Sequence, residues 1–322
     1  MDLSKNSEIL SQFLNYMETI LNKSPNTIKE YNYDLNRFFK VLKISKNLTK
    51  ETELNDIDVT DIDIKILETV TLDDIYSYLA YITKNFNSKP ATRARKVACL
   101  KVFFSYLTKK NQLKVNPAQD LETPKIGKRM PKYLSLDESK QLLSNIKSEE
   151  ENRNKERNYA MITLFLNCGM RLSELVGIDI KDINFSEAKL NVIGKGNKER
   201  TIYLNIACMS AIKNYLSIRK YDANNTKEPL FVSERNKQIG NRTVQYIVRN
   251  ELLKSGLDIE KYSVHKLRHT AATLMYQYGN VDIRALQELL GHESISTTEI
   301  YTHVSNEQVR AAVEDNPLSN IK

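Results

Sequence analysis

Lys189-Leu190-Asn191-Val192-Ile193-Gly194-Lys195-Gly196-Asn197-Lys198-Glu199-Arg200-Thr201-Ile202-Tyr203-Leu204 is the stretch that decides the fold class. Leu190, Val192, Ile202 and Leu204 flank the turn sequence Gly194-Lys195-Gly196-Asn197. Alternation on both sides of a glycine-rich turn predicts an antiparallel β-hairpin. Outward from it the period changes. Tyr159 to Cys168 reads as an apolar helix stopped by Gly169, a residue suited to the left-handed cap. Ser135-Leu136-Asp137-Glu138 carries the spacing of a capping box at a helix start. Further helices are predicted from Ile206 and from Thr243. This half of the chain is expected to be an α+β domain, mainly helical with a small antiparallel sheet.

The first third has helical spacing throughout. Ile9, Phe13, Leu14, Met17, Ile20 and Leu21 make one stripe. Ser24-Pro25-Asn26-Thr27 opens a second helix, with Ile28, Tyr31, Leu35, Phe38, Phe39 and Leu42 on one side. A third runs from Leu72 to Ile82, and a fourth follows Lys89-Pro90 with Val97, Leu100, Phe103, Phe104 and Leu107. The prediction is a four-helix bundle over residues 1–117. Residues 118–132 hold Pro124, Gly127, Pro131, Lys125, Lys128 and Arg129 and read as a basic linker, suited to a phosphate backbone or simply solvated. The second domain covers 133–322.

Charge is unevenly spread over the 322 residues. Between Glu51 and Asp74 nine acids face a single base, Lys65, a local charge of −8 that leaves +16 for the rest of a chain whose total is +8. Ile57, Val59, Ile62, Ile64 and Ile66 alternate with polar residues there, which fits a short extended element or a solvated acidic loop. The basic remainder favours polyanionic partners. Cys99, Cys168 and Cys208 are far apart in sequence and lack C-x-x-C spacing, so neither a disulfide framework nor a zinc ribbon is indicated; Cys99 and Cys168 sit in apolar runs and are expected buried. Residues 1–21 show no signal-peptide pattern, and no stretch approaches the length of a membrane span. A cytoplasmic protein is expected.

All four histidines, His265, His269, His292 and His303, lie in the last 58 residues. His265 and His269 share a helical face, but Lys266 and Arg268 beside them disfavour a divalent cation. The pair reads as structural or phosphate-binding, and no metal is expected. A phosphodiester under attack gathers charge on its non-bridging oxygens, which fixed donors must neutralise. Arginine, always charged and bidentate, does this best. Arg171, just after Gly169-Met170, and Arg268 are placed for it. Lys195 at the hairpin tip can protonate a leaving oxygen, with Lys198 as competitor. The nucleophile must form an ester, and tyrosine is among the choices, given cations and a base to assist a hydroxyl of ordinary pKa about 10.

Met170-Arg171-Leu172-Ser173-Glu174-Leu175, Gly194-Lys195-Gly196-Asn197-Lys198-Glu199-Arg200, His265-Lys266-Leu267-Arg268-His269-Thr270, Leu290-Gly291-His292 and Tyr301-Thr302-His303-Val304 occur in that order. Together they resemble the tyrosine recombinases, or phage-integrase family, and most closely its Xer branch, across nearly the whole chain. The resemblance implies a C-shaped, two-domain clamp on DNA, with a core-binding domain followed by a catalytic domain. It implies that Arg171 and Arg268 clamp the scissile phosphate and that Lys195 is the general acid. His265 would accept or relay the tyrosine proton, and His292 would hydrogen-bond the phosphate. Tyr301 would form the 3′-phosphotyrosyl bond; among 17 tyrosines its case rests on Leu289-Leu290-Gly291-His292 and the interval to it. Glu174 would buttress the site, while His269 and His303 read as structural. No cofactor is implied, since the covalent bond conserves the energy of the phosphodiester.

The implied function is site-specific recombination, with resolution of chromosome dimers at a short paired site as the expected task. Integration or excision of a mobile element shares the chemistry. Residues 51–74 are longer than the matching stretch of many Xer proteins. A catalytically silent DNA-binding protein and a histidine metalloenzyme are the rivals; the presence of all six catalytic-type residues opposes the first. For binding of double-stranded DNA, Lys29 near the start of the second helix and Arg93, Arg95 and Lys96 near the start of the fourth are the candidates, against a reading as solvated basic ends. The tail from about 306 carries Val309, Ala312 and Val313 on a short predicted helix. It packs on its own domain or, as in the family, docks into a neighbour, giving a homotetramer (or a heterotetramer with a second recombinase) on two sites.

Overall fold

Helix starts in this chain are fixed by small polar side chains that satisfy otherwise unpaired N–H groups. In the computed structural model, which describes residues 6–127, 132–150, 152–194, 199–220, 228–279, 281–291 and 298, Ser7 caps α1 (Glu8–Thr19) and Ser24 caps α2 (Pro25–Ser45). Pro25 sits where its missing N–H removes nothing from the helix. After α3 (Ile64–Glu68), a capping box of Thr71 and Asp74 starts α4 (Leu72–Phe86), and α5 (Pro90–Lys109) follows. The apolar stripes of α1, α2, α4 and α5 meet in an aromatic core. Phe13 and Phe103 lie edge to face at 5.2 Å, and Phe38 and Tyr78 at 5.3 Å, an arrangement that ring quadrupoles favour.

The acidic segment is a looped stretch of turns, not a strand: most of its acids are exposed, as a solvated acidic loop requires, while its apolar residues are not. Ile57, Val59, Ile62, Leu67 and Val70 are buried in the same core, joined through turns and the short helix α3, whose cap is Asp63. With no strand beside them among the described residues, the alternating residues fold into turns, as in the hydrogen bond from Ile62 N–H to Val59 O at 3.3 Å. Some of the acids face lysines of α2. Lys43, almost wholly buried, donates to both Asp61 oxygens at 2.7 and 2.8 Å and to Asp58 O, while Lys46 pairs with Asp74 at 2.9 Å. These ion pairs neutralise part of the segment internally.

The chain divides into two compact units, Met1–Lys128 and Arg129–Lys322. Ala118 and Leu121 are buried in the first unit's core. The packed chain therefore runs past Pro117, where the sequence reading starts the linker.

In the second unit Ser135 and Glu138 cap α6 (Leu136–Ser148) reciprocally. Helix α7 (Lys155–Cys168) is apolar on nearly every face and forms the centre of the core. It ends at Gly169, whose φ of +57° and close approach to Leu290 leave no room for a Cβ. Then come α8 (Leu172–Val176), a 3-10 turn at Ile180–Asp182, β1 (Ile183–Asn184), β2 (Lys189–Ile193) and β3 (Glu199–Tyr203). The sheet is antiparallel in the order β1-β2-β3. Leu190 faces Ile202, and both are buried with Val192 and Leu204, the face predicted from the alternation. Helices α9 (Ile206–Ile218), α10 (Asn241–Lys254), α11 (Val264–Tyr278) and α12 (Ile283–Leu290) follow.

All three cysteines are buried free thiols. The fold brings Cys168 and Cys208, distant in sequence, to 3.7 Å, and the Cys208 contact together with burial pushes the Cys168 thiol well up. Among the described residues no helix is long and apolar enough to cross a membrane.

Candidate active site

The last carbonyls of a helix lack partners and carry the negative end of its dipole. At the end of α12 three consecutive carbonyls each accept from an arginine. Arg200 donates to Leu289 O, Arg268 to Leu290 O at 2.6 Å, and Arg171 to Gly291 O at 2.7 Å. Gly291 caps the helix at φ +63°, and a Cβ there would come within 3.0 Å of Arg200 Cδ. In sequence His292 is the next residue and Tyr301 lies nine beyond it.

Each arginine is delivered by a different element. Arg171 follows buried Met170 as the N-cap of α8. Its Nη1 donates to Glu174 Oε1 at 2.8 Å and its backbone N–H to Oε2 at 2.6 Å. Arg200 belongs to β3 and grips the same carboxylate, with Nη2 to Oε2 at 2.9 Å and Nε to Oε1 at 3.3 Å. Arg268 lies on α11, buried, and also donates to Gly169 O at 2.6 Å, the carbonyl at the end of α7. Glu174 is fully enclosed. Burial alone would raise its carboxyl; the hydrogen bond and charge of Arg200, then the donors of Arg171, outweigh this and hold it below the usual carboxylate range.

His265 stands one turn before Arg268 on α11, on the same face. Burial, then the charges of Lys266, Arg268 and Arg171, push its imidazole below the ordinary value. The shift favours the neutral imidazole, the form that can accept a proton, although the residue as a whole keeps an exposed edge. Its ring meets His269 edge to face with centroids 4.5 Å apart. Among the described residues no group of three or more His, Cys, Asp or Glu is placed to hold a metal ion.

Of the residues singled out from sequence, Arg171, Arg268 and His265 are thus described. Lys195, His292, Tyr301 and the tail from about 306 lie outside the described residues. Glu174 sits under Arg171 as the sequence reading has it. Arg200 was missed as an individual. Its signal was its place at the end of the Gly194–Arg200 motif, but nothing local ties it to Glu174, 26 positions away.

The DNA-binding candidates divide. Lys29 is exposed. Arg93 turns its guanidinium to Ser88 O. Arg95, partly exposed, pairs with Asp34 at 2.7 Å and Glu30 at 3.1 Å. Lys96 is a correction: only 3% exposed, it is bonded to buried Asp34 at 2.5 Å, so its ammonium serves the α2–α5 packing and cannot reach a phosphate.

Known proteins resemble this chain over nearly its whole length. Residues 132–308 match the phage integrase family, and residues 10–111 match the N-terminal SAM-like domain of phage integrases. A tyrosine recombinase XerC of Caldanaerobacter subterraneus subsp. tengcongensis is 52% identical over 99% of this chain and 89% of its own. One from Leptospira interrogans serogroup Icterohaemorrhagiae serovar copenhageni is 34% identical, over 94% of this chain and 91% of its own. Among solved structures, a XerH site-specific recombinase in a post-cleavage complex with a palindromic difH substrate aligns with a TM-score of 0.73 at 24% identity, covering 95% and 83% of the two chains. A lambda integrase (75–356) dimer bound to a COC′ core site aligns at 0.64 and 19% identity, covering 89% and 96%; these two likenesses show the fold. The chain belongs to the phage integrase family, the tyrosine recombinases. Within that family it is a site-specific DNA recombinase of the Xer branch.

Proposed function

We propose that Arg171 and Arg268 hold the scissile phosphate of double-stranded DNA while Tyr301 attacks it. The observation that carries this reading is the convergence of both guanidiniums, with neutral His265 beside them in sequence and charge, on the helix end that leads into His292 and Tyr301. In the proposed step the Tyr301 hydroxyl oxygen bonds to phosphorus, and its proton passes to His265. The bond from phosphorus to the 5′ oxygen breaks, and Lys195 supplies the proton that makes the leaving group a 5′-hydroxyl. Arg171, Arg268 and a hydrogen bond from His292 stabilise the charge that develops on the non-bridging oxygens. An incoming 5′-hydroxyl reverses the sequence and rejoins a new strand. No bond energy leaves the system, so no nucleotide or metal enters the balance.

The organisation proposed is a core-binding domain that reaches at least to Leu121, a short basic linker after it and a catalytic domain over 133–322. Four protomers, all alike or of two kinds, assemble on two sites through the tail from about residue 306, in the cytoplasm, to resolve chromosome dimers. The relative named XerC, matched over nearly its full length, supports this task.

The test is a denaturing gel of the protein incubated, with EDTA present, with nicked DNA carrying its native site. A covalent protein–DNA adduct is expected from the wild type and none from Tyr301→Phe. An adduct that persists in Tyr301→Phe contradicts the nucleophile assignment, and loss of the wild-type adduct in EDTA contradicts the metal-free balance.

A further inference from the structure

A buried, ionised carboxylate takes donors on both of its oxygens. Glu174, fully enclosed on α8, is shared by two arginines. Arg200, with a side chain 14% exposed, takes the forked position: Nη2 meets Oε2 at 2.9 Å and Nε meets Oε1 at 3.3 Å. Arg171, 29% exposed, sets Nη1 on Oε1 at 2.8 Å, while its Nη2 turns away to Gly291 O at 2.7 Å. Arg200 also donates to Leu289 O, two residues before that carbonyl. A Cβ on Gly291 would lie 3.0 Å from Arg200 Cδ and 3.6 Å from Arg171 Nη1, so the two side chains meet the same turn of chain. Arg200 therefore touches both anchors of Arg171, the carboxylate beneath it and the helix end beside it. An arginine alone with a buried carboxylate favours the bidentate pair, with two parallel N–H groups facing the two oxygens. With Arg200 in that place, the Arg171 guanidinium is kept to one oxygen and stays extended toward the end of α12.

We propose that Arg200 is a positioning residue for Arg171: by occupying the forked position on Glu174 it holds the Arg171 guanidinium off the carboxylate and ready for phosphate. This rests on the reading of Arg171 as part of the phosphate clamp. Arg200 itself touches no reacting atom. Its loss lets Arg171 fold onto Glu174, which slows a reaction that needs phosphate charge neutralised and largely spares one that does not.

A scissile methylphosphonate, with methyl in place of one charged non-bridging oxygen, provides the second reaction. Cleavage of nicked site DNA by full-length protein would be timed on the ordinary phosphate and on the methylphosphonate. On phosphate, Arg200→Ala is expected to fall on the order of 100-fold, the effect of misplacing a group by about an ångström. On methylphosphonate that deficit should shrink at least about tenfold. Arg200→Lys, which keeps the charge but cannot fork onto both Glu174 oxygens, should lose roughly tenfold on phosphate and come within about threefold of wild type on methylphosphonate. This variant carries the test if Arg200→Ala melts below the assay temperature. Wild-type rates on phosphate in the variant assayed, or an equal deficit on both linkages, overturn the proposal. Added to Arg171→Ala, the same substitution should cost no more than about a further threefold on phosphate, because the residue it acts through is gone. A full additive loss there also overturns the proposal. Arg171→Ala timed on both linkages separates the two ideas. If its deficit shrinks on methylphosphonate and that of the Arg200 variant does not, the clamp reading stands and the positioning proposal falls; if its deficit does not shrink, both fall.

Discussion

Both units bury a carboxylate between two cations, and the two clusters are built to different accounts. In the first, Asp34 lies between Lys96 and Arg95, and Glu30 also pairs with Arg95, so two acids meet two bases. In the second, among the described residues, Arg171 and Arg200 share Glu174, and Arg268 donates to backbone carbonyls at the ends of α7 and α12. Matched charges close a structure. Among the described residues the second cluster sets three guanidiniums beside one carboxylate, a surplus of positive charge suited to an external anion.

Removing an arginine from the surplus cluster should have the largest consequence. Arg171→Ala and Arg268→Ala are each expected to slow covalent adduct formation by about 100- to 1,000-fold, the effect of losing a fixed donor to developing charge. Single-turnover assays on nicked DNA give the rates. The matched cluster should answer in stability instead. Lys96→Ala leaves Asp34 buried with Arg95 as remaining partner, and a loss of about 3 kcal/mol in urea denaturation is expected. The cleavage rate of the protein that remains folded should stay within about twofold of wild type. A loss of DNA affinity in folded Lys96→Ala as large as in Lys29→Ala would break the comparison.

Acid should sharpen it more gently. Partial loss of solvation, then neighbouring cations, hold His265 below its ordinary pKa of about 6.5, which favours the uncharged form at neutral pH. Cleavage is expected to be flat near pH 7 and to fall as pH drops below 6.5 through the lowered value. Stability follows the same sign: in that window the unfolded chain binds the proton first, so stability from this group is present above 6.5 and lost on acidification. His265→Gln should remove this acid limb from the cleavage profile, measured between pH 5 and 7.5.

Local features of this fold were legible because their causes are local. The caps at Ser24 and Ser135, the stop at Gly169 and the hairpin around Gly194–Asn197 each depend on residues close in sequence. The extended alternative for the acidic segment fails because its apolar residues have strand spacing but, among the described residues, no strand to pair with. Lys96 was misread because Asp34, 62 positions earlier, is what claims it. Arg200 escaped for the same reason, being bound to a carboxylate and a carbonyl that only the folded chain brings near. Pairing of buried charges is a long-range property, and motif order pointed to the site without showing which arginines share Glu174.

The claim that the surplus guanidiniums serve the phosphate charge has a direct test. A scissile methylphosphonate replaces one charged non-bridging oxygen with a methyl group and removes the negative charge that Arg268 is proposed to neutralise. Strand cleavage would be timed for wild type and Arg268→Ala on the ordinary phosphate and on the methylphosphonate. The deficit of Arg268→Ala should shrink at least about tenfold on the uncharged linkage, since the lost interaction no longer has a partner. An equal deficit on both substrates would contradict the account, because Arg268 would then act on something other than phosphate charge.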